Sequence, residues 1–125
     1  MSVITLPERA CMADYQRYIH ELEAMHGWLE VDLVHNGFLM TEEVGELFKA
    51  IRNYEKLFRE CKGDDGQPAE QTPDEDTLRE QARSEAADEI ADVLNYLLAI
   101  ANRLDIDVER AFRRKNSNNQ RRRWA

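Results

Sequence analysis

Apolar residues recur at steps of three and four through most of this chain, and that spacing restricts it to amphipathic helices packed against one another. In the first stretch, from about Glu8 to His26, the period is kept by Tyr15, Tyr18, Ile19, Leu22 and Met25, and Gly27 ends it. The second runs from about Phe38 to Cys61 through Leu39, Val44, Leu47, Phe48, Ile51, Tyr54 and Phe58; the Asn36-Gly37 pair ahead of it reads as a turn. A third helix is expected over Pro73 to Leu104. Its start is marked by Thr72-Pro73-Asp74-Glu75, where threonine can cap, proline suits the first helical position and Glu75 can close a capping box. After a break at Asp105 to Asp107, a short fourth helix covers about Val108 to Asn118. With only 5 Gly and 3 Pro among 125 residues, 42% hydrophobic and 34% charged, the expected fold is all-α, an antiparallel helical bundle in a single domain over 1–125. A monomer of this size leaves much apolar surface uncovered, so a homodimer or homotetramer is expected to complete the core.

Two segments lie outside that pattern. Residues 62–71 contain Gly, Asp, Gln, Pro, Ala and Glu without periodicity, which predicts a mobile surface loop. Arg113, Arg114, Lys115, Arg121, Arg122 and Arg123 place six of the 17 basic residues in eleven positions, ending in a basic tail at 119–125. That cluster can meet a triphosphate or the acidic face of a neighbouring subunit, or simply complement a helix dipole. The net charge of -8 nevertheless argues against a general nucleic-acid binder. Cys11 and Cys61 are too far apart for a zinc pattern and suggest free thiols in a reducing compartment. No stretch approaches the roughly 20 apolar residues of a membrane span, and the first residues lack a leader pattern, so a cytoplasmic protein is expected.

The chemistry-bearing feature is a set of carboxylates. Glu42-Glu43-Val44-Gly45-Glu46 falls on the second helix and Asp88-Glu89-Ile90-Ala91-Asp92 on the third, each with acids three apart and hence on one face. Taken singly, either pair is ordinary for a solvated surface. Placed at about 100° per residue, however, Glu43 falls inside the apolar arc with Leu39, Leu47, Ala50 and Tyr54. Glu89 falls between Tyr96 and Ile100, with Asp92 and Glu85 near the same edge. Several like charges directed toward a buried face must take up protons or meet a cation. Oxygen ligands without a neighbouring His or Cys favour a hard ion, Mg²⁺ or its substitute Mn²⁺, which keeps positions open for phosphate oxygens.

These residues resemble the MazG-like, all-α nucleoside triphosphate pyrophosphohydrolases, whose signature is EExxE followed by ExxD. Here the signature is Glu42, Glu43 and Glu46, then Glu89 and Asp92. The flanks agree: His26-Gly27-Trp28 before the first motif, Val44-Gly45-Glu46-Leu47 within it, Asp92-Val93-Leu94-Asn95-Tyr96-Leu97-Leu98 after the second, and Lys115 with Asn119 near the C-terminus. The likeness spans about Gly27 to Trp124. One departure is the 42 residues between Glu46 and Glu89, longer than is usual in the family and attributable to the 62–71 loop and longer helix ends.

The resemblance implies hydrolysis of a (deoxy)nucleoside triphosphate to the monophosphate and pyrophosphate, in nucleotide-pool housekeeping. It implies metal held by Glu43, Glu46, Glu89 and Asp92, with Glu42 and Glu43 catalytic, Glu42 orienting the attacking water or holding an additional ion. Lys115 would reach the phosphates, Asn119 the sugar or a phosphate, and Tyr96 the sugar or the carboxylates. Trp28 would stack on the base; its competing role is a core or interface tryptophan. The alternative to catalysis is a helical interaction or nucleotide-binding module with an acidic metal-binding stripe. An adaptor's acids should be exposed, whereas Glu43 and Glu89 are expected to project inward.

Overall fold

The computed structural model describes residues 3–55 and 74–123. The described elements are helices: α1 (Met12–His26), a 3₁₀ turn (Trp28–Glu30), α2 (Leu33–Glu55), α3 (Glu75–Arg103) and α4 (Val108–Arg121). The expected all-α class is therefore what the chain adopts. The expected 62–71 loop and the Thr72-Pro73 start signal lie outside the described residues. Contacts divide the chain into two compact units, one of Met1–Gly37 with Asn95–Ala125 and one of Phe38–Leu94, so α2 and α3 contribute to both.

In the first unit, α1 begins later than its apolar spacing suggested. The carboxylate of Asp14 accepts hydrogen bonds from the Cys11 backbone N–H at 2.8 Å and the Cys11 thiol at 3.2 Å, which sets the helix start at Met12. The Cys11 backbone bond is the main reason the Asp14 carboxyl is held below its ordinary pKa. Gly27 ends α1 at a φ of 71°, a left-handed conformation suited to glycine. Behind α1 the core is Ile19, Leu98 and Ala99, with Met12, Tyr18, Leu22 and Val108 packed against it.

A polar clasp fixes the adjoining turn. The Gln16 side-chain amide donates to the Asn102 side-chain oxygen at 3.1 Å and the Ile106 carbonyl at 2.8 Å, while its own oxygen accepts from the Val108 N–H at 3.1 Å. Asn102 returns a bond to the Gln16 carbonyl at 2.8 Å. The α3 terminus itself closes through Ile106 N–H to the Ala101 carbonyl at 2.8 Å and Asp105 N–H to the Asn102 carbonyl at 3.2 Å. Asp105 occupies the left-handed position there, with a φ of 54°, where glycine is favoured. Asp105→Gly is accordingly expected to stabilise the fold by about 0.5 kcal/mol, measurable as a higher urea midpoint at unchanged slope. Asp107 then caps α4, accepting from the Arg110 N–H at 3.1 Å.

The Asn36-Gly37 pair is not a turn. Both residues lie inside α2, which starts at Leu33. Asn36 is buried and its N–H bonds to the Asp32 carbonyl at 3.0 Å, so tertiary burial outweighs the roughly 1 kcal/mol that a helical glycine costs.

In the second unit, α2 and α3 run antiparallel. Tyr54, late in α2, has the Arg79 guanidinium 5.5 Å from its ring centre near the start of α3, while Glu43, early in α2, meets Glu89 later in α3. Alanines at 50 and 82 are buried. Asp74 caps α3 by accepting from the Thr77 N–H at 2.7 Å, and its hydrogen bonds to Thr77, from the side chain first and then from the backbone, hold its carboxyl below the ordinary range.

Candidate metal centre

The covered positions of α2 include Leu39, Glu43, Leu47 and Ala50; those of α3 include Leu78, Ala82, Ala86, Glu89, Val93 and Tyr96. A carboxylate thus occupies a place in each helix's inward stripe, at the period that buries apolar groups. Asp92, three residues after Glu89, is partly covered beside it.

One oxygen from each of Glu43, Glu89 and Asp92 lies within 4.8 Å of the others. Glu89 Oε2 is buried with no hydrogen-bond partner. The Glu89 carboxyl is pushed up to about 7 from an ordinary 4.5, first because it shares a hydrogen bond with the Glu43 carboxyl, which requires a proton between them. Desolvation adds to this, followed by the charges of Glu43, Asp92 and Glu46. Without a cation the cluster therefore gives up its proton only as pH rises through about 7.

A small divalent ion meets the same need. At bond lengths near 2.1 Å, adjacent oxygens around Mg²⁺ stand about 3.0 Å apart and opposed ones about 4.2 Å, so three oxygens within 4.8 Å of one another reach its shell by closing inward on the ion. The all-oxygen donor set suits a hard ion, and the partnerless Glu89 oxygen is a lone pair suitable for it. Among the described residues the group therefore fits a divalent metal.

The other expected site residues are placed as follows. Glu46 is exposed and stands outside the close trio, although its charge acts on Glu89. Glu42 is exposed on α2, next in sequence to Glu43. Tyr96 is partly covered, four residues beyond Asp92 on α3. Trp28 opens the 3₁₀ turn, half exposed, with its ring stacked on His26 at 4.4 Å between centroids and 21° between planes. Lys115 is exposed on α4, whereas Asn119, one turn on, is partly covered and donates to the Asn116 side chain at 3.3 Å. The trio belongs to the second unit; Trp28, Tyr96, Lys115 and Asn119 belong to the first. A surface hollow lined by Asp74, Asp76, Thr77, Glu80, Gln81 and Ser84 contains none of these residues.

Two charged residues escaped the sequence reading. Glu23 on α1 is buried, and Arg103 at the end of α3 faces it at 3.9 Å while donating to the Val31 carbonyl at 2.8 Å and the Trp28 carbonyl at 2.9 Å. Glu23 follows Ile19 by four residues, so the test that singled out Glu43 would have marked it too. Nothing local marked Arg103, whose partners are more than seventy residues away.

Residues 36–124 match the MazG nucleotide pyrophosphohydrolase domain. The chain is also 30% identical over 100 residues to the uncharacterized protein YvdC of Bacillus subtilis (strain 168), a match covering 78% of this chain and 82% of that protein. No described helix is long and apolar enough to cross a membrane.

Proposed function

The chain belongs to the MazG nucleotide pyrophosphohydrolase family, and on that footing we propose that it hydrolyses (deoxy)nucleoside triphosphates to the monophosphate and pyrophosphate, in nucleotide-pool housekeeping, as a single functional domain in the cytoplasm. The observation that carries the reading is the convergence of Glu43, Glu89 and Asp92 within 4.8 Å, with one buried glutamate oxygen lacking a partner. A stripe serving only to attract a basic partner would have no need to cover its acids.

Glu43, Glu89 and Asp92, with Glu46 completing the set, would hold Mg²⁺, for which Mn²⁺ can substitute. When bound, such an ion neutralises charge on the phosphate oxygens and makes a bound water more acidic. The chain's own residues do the remaining work. Glu42 and Glu43 orient the attacking water, and one of the two receives its proton as the bond to pyrophosphate breaks. Lys115 pairs with phosphate oxygens, Asn119 hydrogen-bonds the sugar or a phosphate, and Tyr96 contacts the sugar. The free face of Trp28 stacks on the base, a contact of the kind worth about 1–3 kcal/mol.

We also propose that the active form is a homodimer or homotetramer. On α2, Val34, Phe38, Thr41, Gly45 and Phe48 follow alternating steps of four and three, and Val34, Phe38 and Phe48 are all more than 60% exposed. On α3, Ile90, Leu94, Leu97, Ala101 and Leu104 repeat that spacing, all but Ala101 being exposed. Such stripes match the seam of paired helices, and a second copy of the chain is the occupant they fit.

The test is pyrophosphate release from a panel of canonical and modified nucleoside triphosphates, with Mg²⁺ and then with excess chelator. Metal-dependent release with equimolar monophosphate is expected. Clean metal binding without release from any nucleotide would overturn catalysis and leave a binding module. In the same assay Trp28→Ala should raise KM roughly tenfold with little change in kcat.

A further inference from the structure

We propose that Arg103 is a positioning residue for Trp28: its guanidinium ties down the turn that carries the indole and thereby sets the direction in which the free ring face is offered. This inference rests on the assignment of Trp28 to the base.

The Trp28–Glu30 turn has three residues, and the bond from the Val31 N–H to the Trp28 carbonyl, at 3.1 Å, is the link closing it. One such link does not fix a half-exposed indole. Arg103 adds two further links from a different helix, Nη1 to the Val31 carbonyl at 2.8 Å and Nη2 to the Trp28 carbonyl at 2.9 Å, so both ends of the turn are held by one rigid plane. Behind it, the Glu23 carboxylate is buried and lies 3.9 Å from Nη2. Burial raises the Glu23 pKa, and the Arg103 charge beside it opposes that rise. His26 completes the arrangement by covering one face of the indole. A base is left with the other face, whose direction is set by the backbone that Arg103 grips.

Lysine at 103 separates the fork from the charge, because an ammonium beside Glu23 cannot present two coplanar donors to the two carbonyls. The experiment uses a Trp124→Phe background, in which Trp28 is the remaining tryptophan. Arg103→Lys is expected to raise KM about tenfold, one charge-assisted bond's worth, with kcat within about twofold. It should also lower the fluorescence anisotropy of Trp28 at unchanged helix content. In a Trp28→Ala background the same substitution should leave KM unmoved, which a general loss of structure would not do. If Arg103→Lys does not fold, Glu23→Gln is read in the same three ways, with an expected KM rise of about threefold.

Unchanged KM and unchanged anisotropy in the variant, or a loss confined to kcat, would overturn the inference. Lower anisotropy together with a Trp28→Ala enzyme of normal KM would instead leave the positioning intact and overturn the assignment of Trp28 to the base.

Discussion

Replacing Glu89 by glutamine should reduce metal-dependent pyrophosphate release by roughly 100- to 1,000-fold or more while making the metal-free protein more stable above neutral pH. The two effects have one origin. Glu89 is a carboxyl with a buried, partnerless oxygen among three other acids, and its pKa is raised to about 7. A folded-state pKa above the unfolded 4.5 means that the folded protein binds this proton more tightly than the unfolded chain. Its contribution to stability is complete below about pH 4.5 and declines as pH rises through 7, the opposite of a salt-bridged carboxylate. Glutamine cannot ionise, so this decline should disappear from the difference between the two proteins. Thermal melts from pH 5 to 8 in chelator should therefore show wild type losing midpoint relative to Glu89→Gln as pH rises. Added Mg²⁺ should restore the wild type at pH 8 by mass action and leave the variant nearly unmoved. A variant that melts below wild type at pH 8 in chelator would mean that Glu89 serves packing rather than a cation.

How far the site could be read beforehand follows from the same residue. Glu43 and Glu89 were conspicuous because a charge at an apolar register position is anomalous, and periodicity is a local property a sequence displays directly. Asp92 followed from its spacing of three. The failures were tertiary. Asn36-Gly37 carries a turn's composition, but burial of Asn36 holds it in α2. Cysteine is an unusual residue at a helix start, and only the Asp14 bonds reveal that α1 begins after it. The hold of Arg103 on the Trp28 turn depends on bringing α3's last turn against residues far earlier in the chain, which no window of sequence contains.

Substituting lysine for Leu97 on α3, or for Phe48 on α2, is expected to convert an oligomer into a monomer of 14.6 kDa and to take most of the activity with it. Within one chain these changes should matter little, because Leu97 is 48% and Phe48 61% exposed, and substitutions at such positions usually shift stability by no more than about 0.5 kcal/mol. In an assembly the same positions sit on the seam, where lysine must lose hydration without a partner charge, and association should weaken by roughly 100-fold or more. Light scattering over a concentration series, paired with circular dichroism, separates the two cases. Retained helicity with the mass reduced to 14.6 kDa marks a lost interface, whereas lost helicity marks lost folding. A wild-type protein that already scatters as a monomer at micromolar concentration would sink the oligomer and require another occupant for both stripes. Gly45 sharpens the distinction. It lies on the α2 stripe, and apart from its two neighbours and its own helix backbone no atom of the described residues stands within 4 Å of where a β-carbon would be. Alanine there should favour the isolated helix by up to about 1 kcal/mol, yet weaken association wherever a partner's backbone approaches that gap.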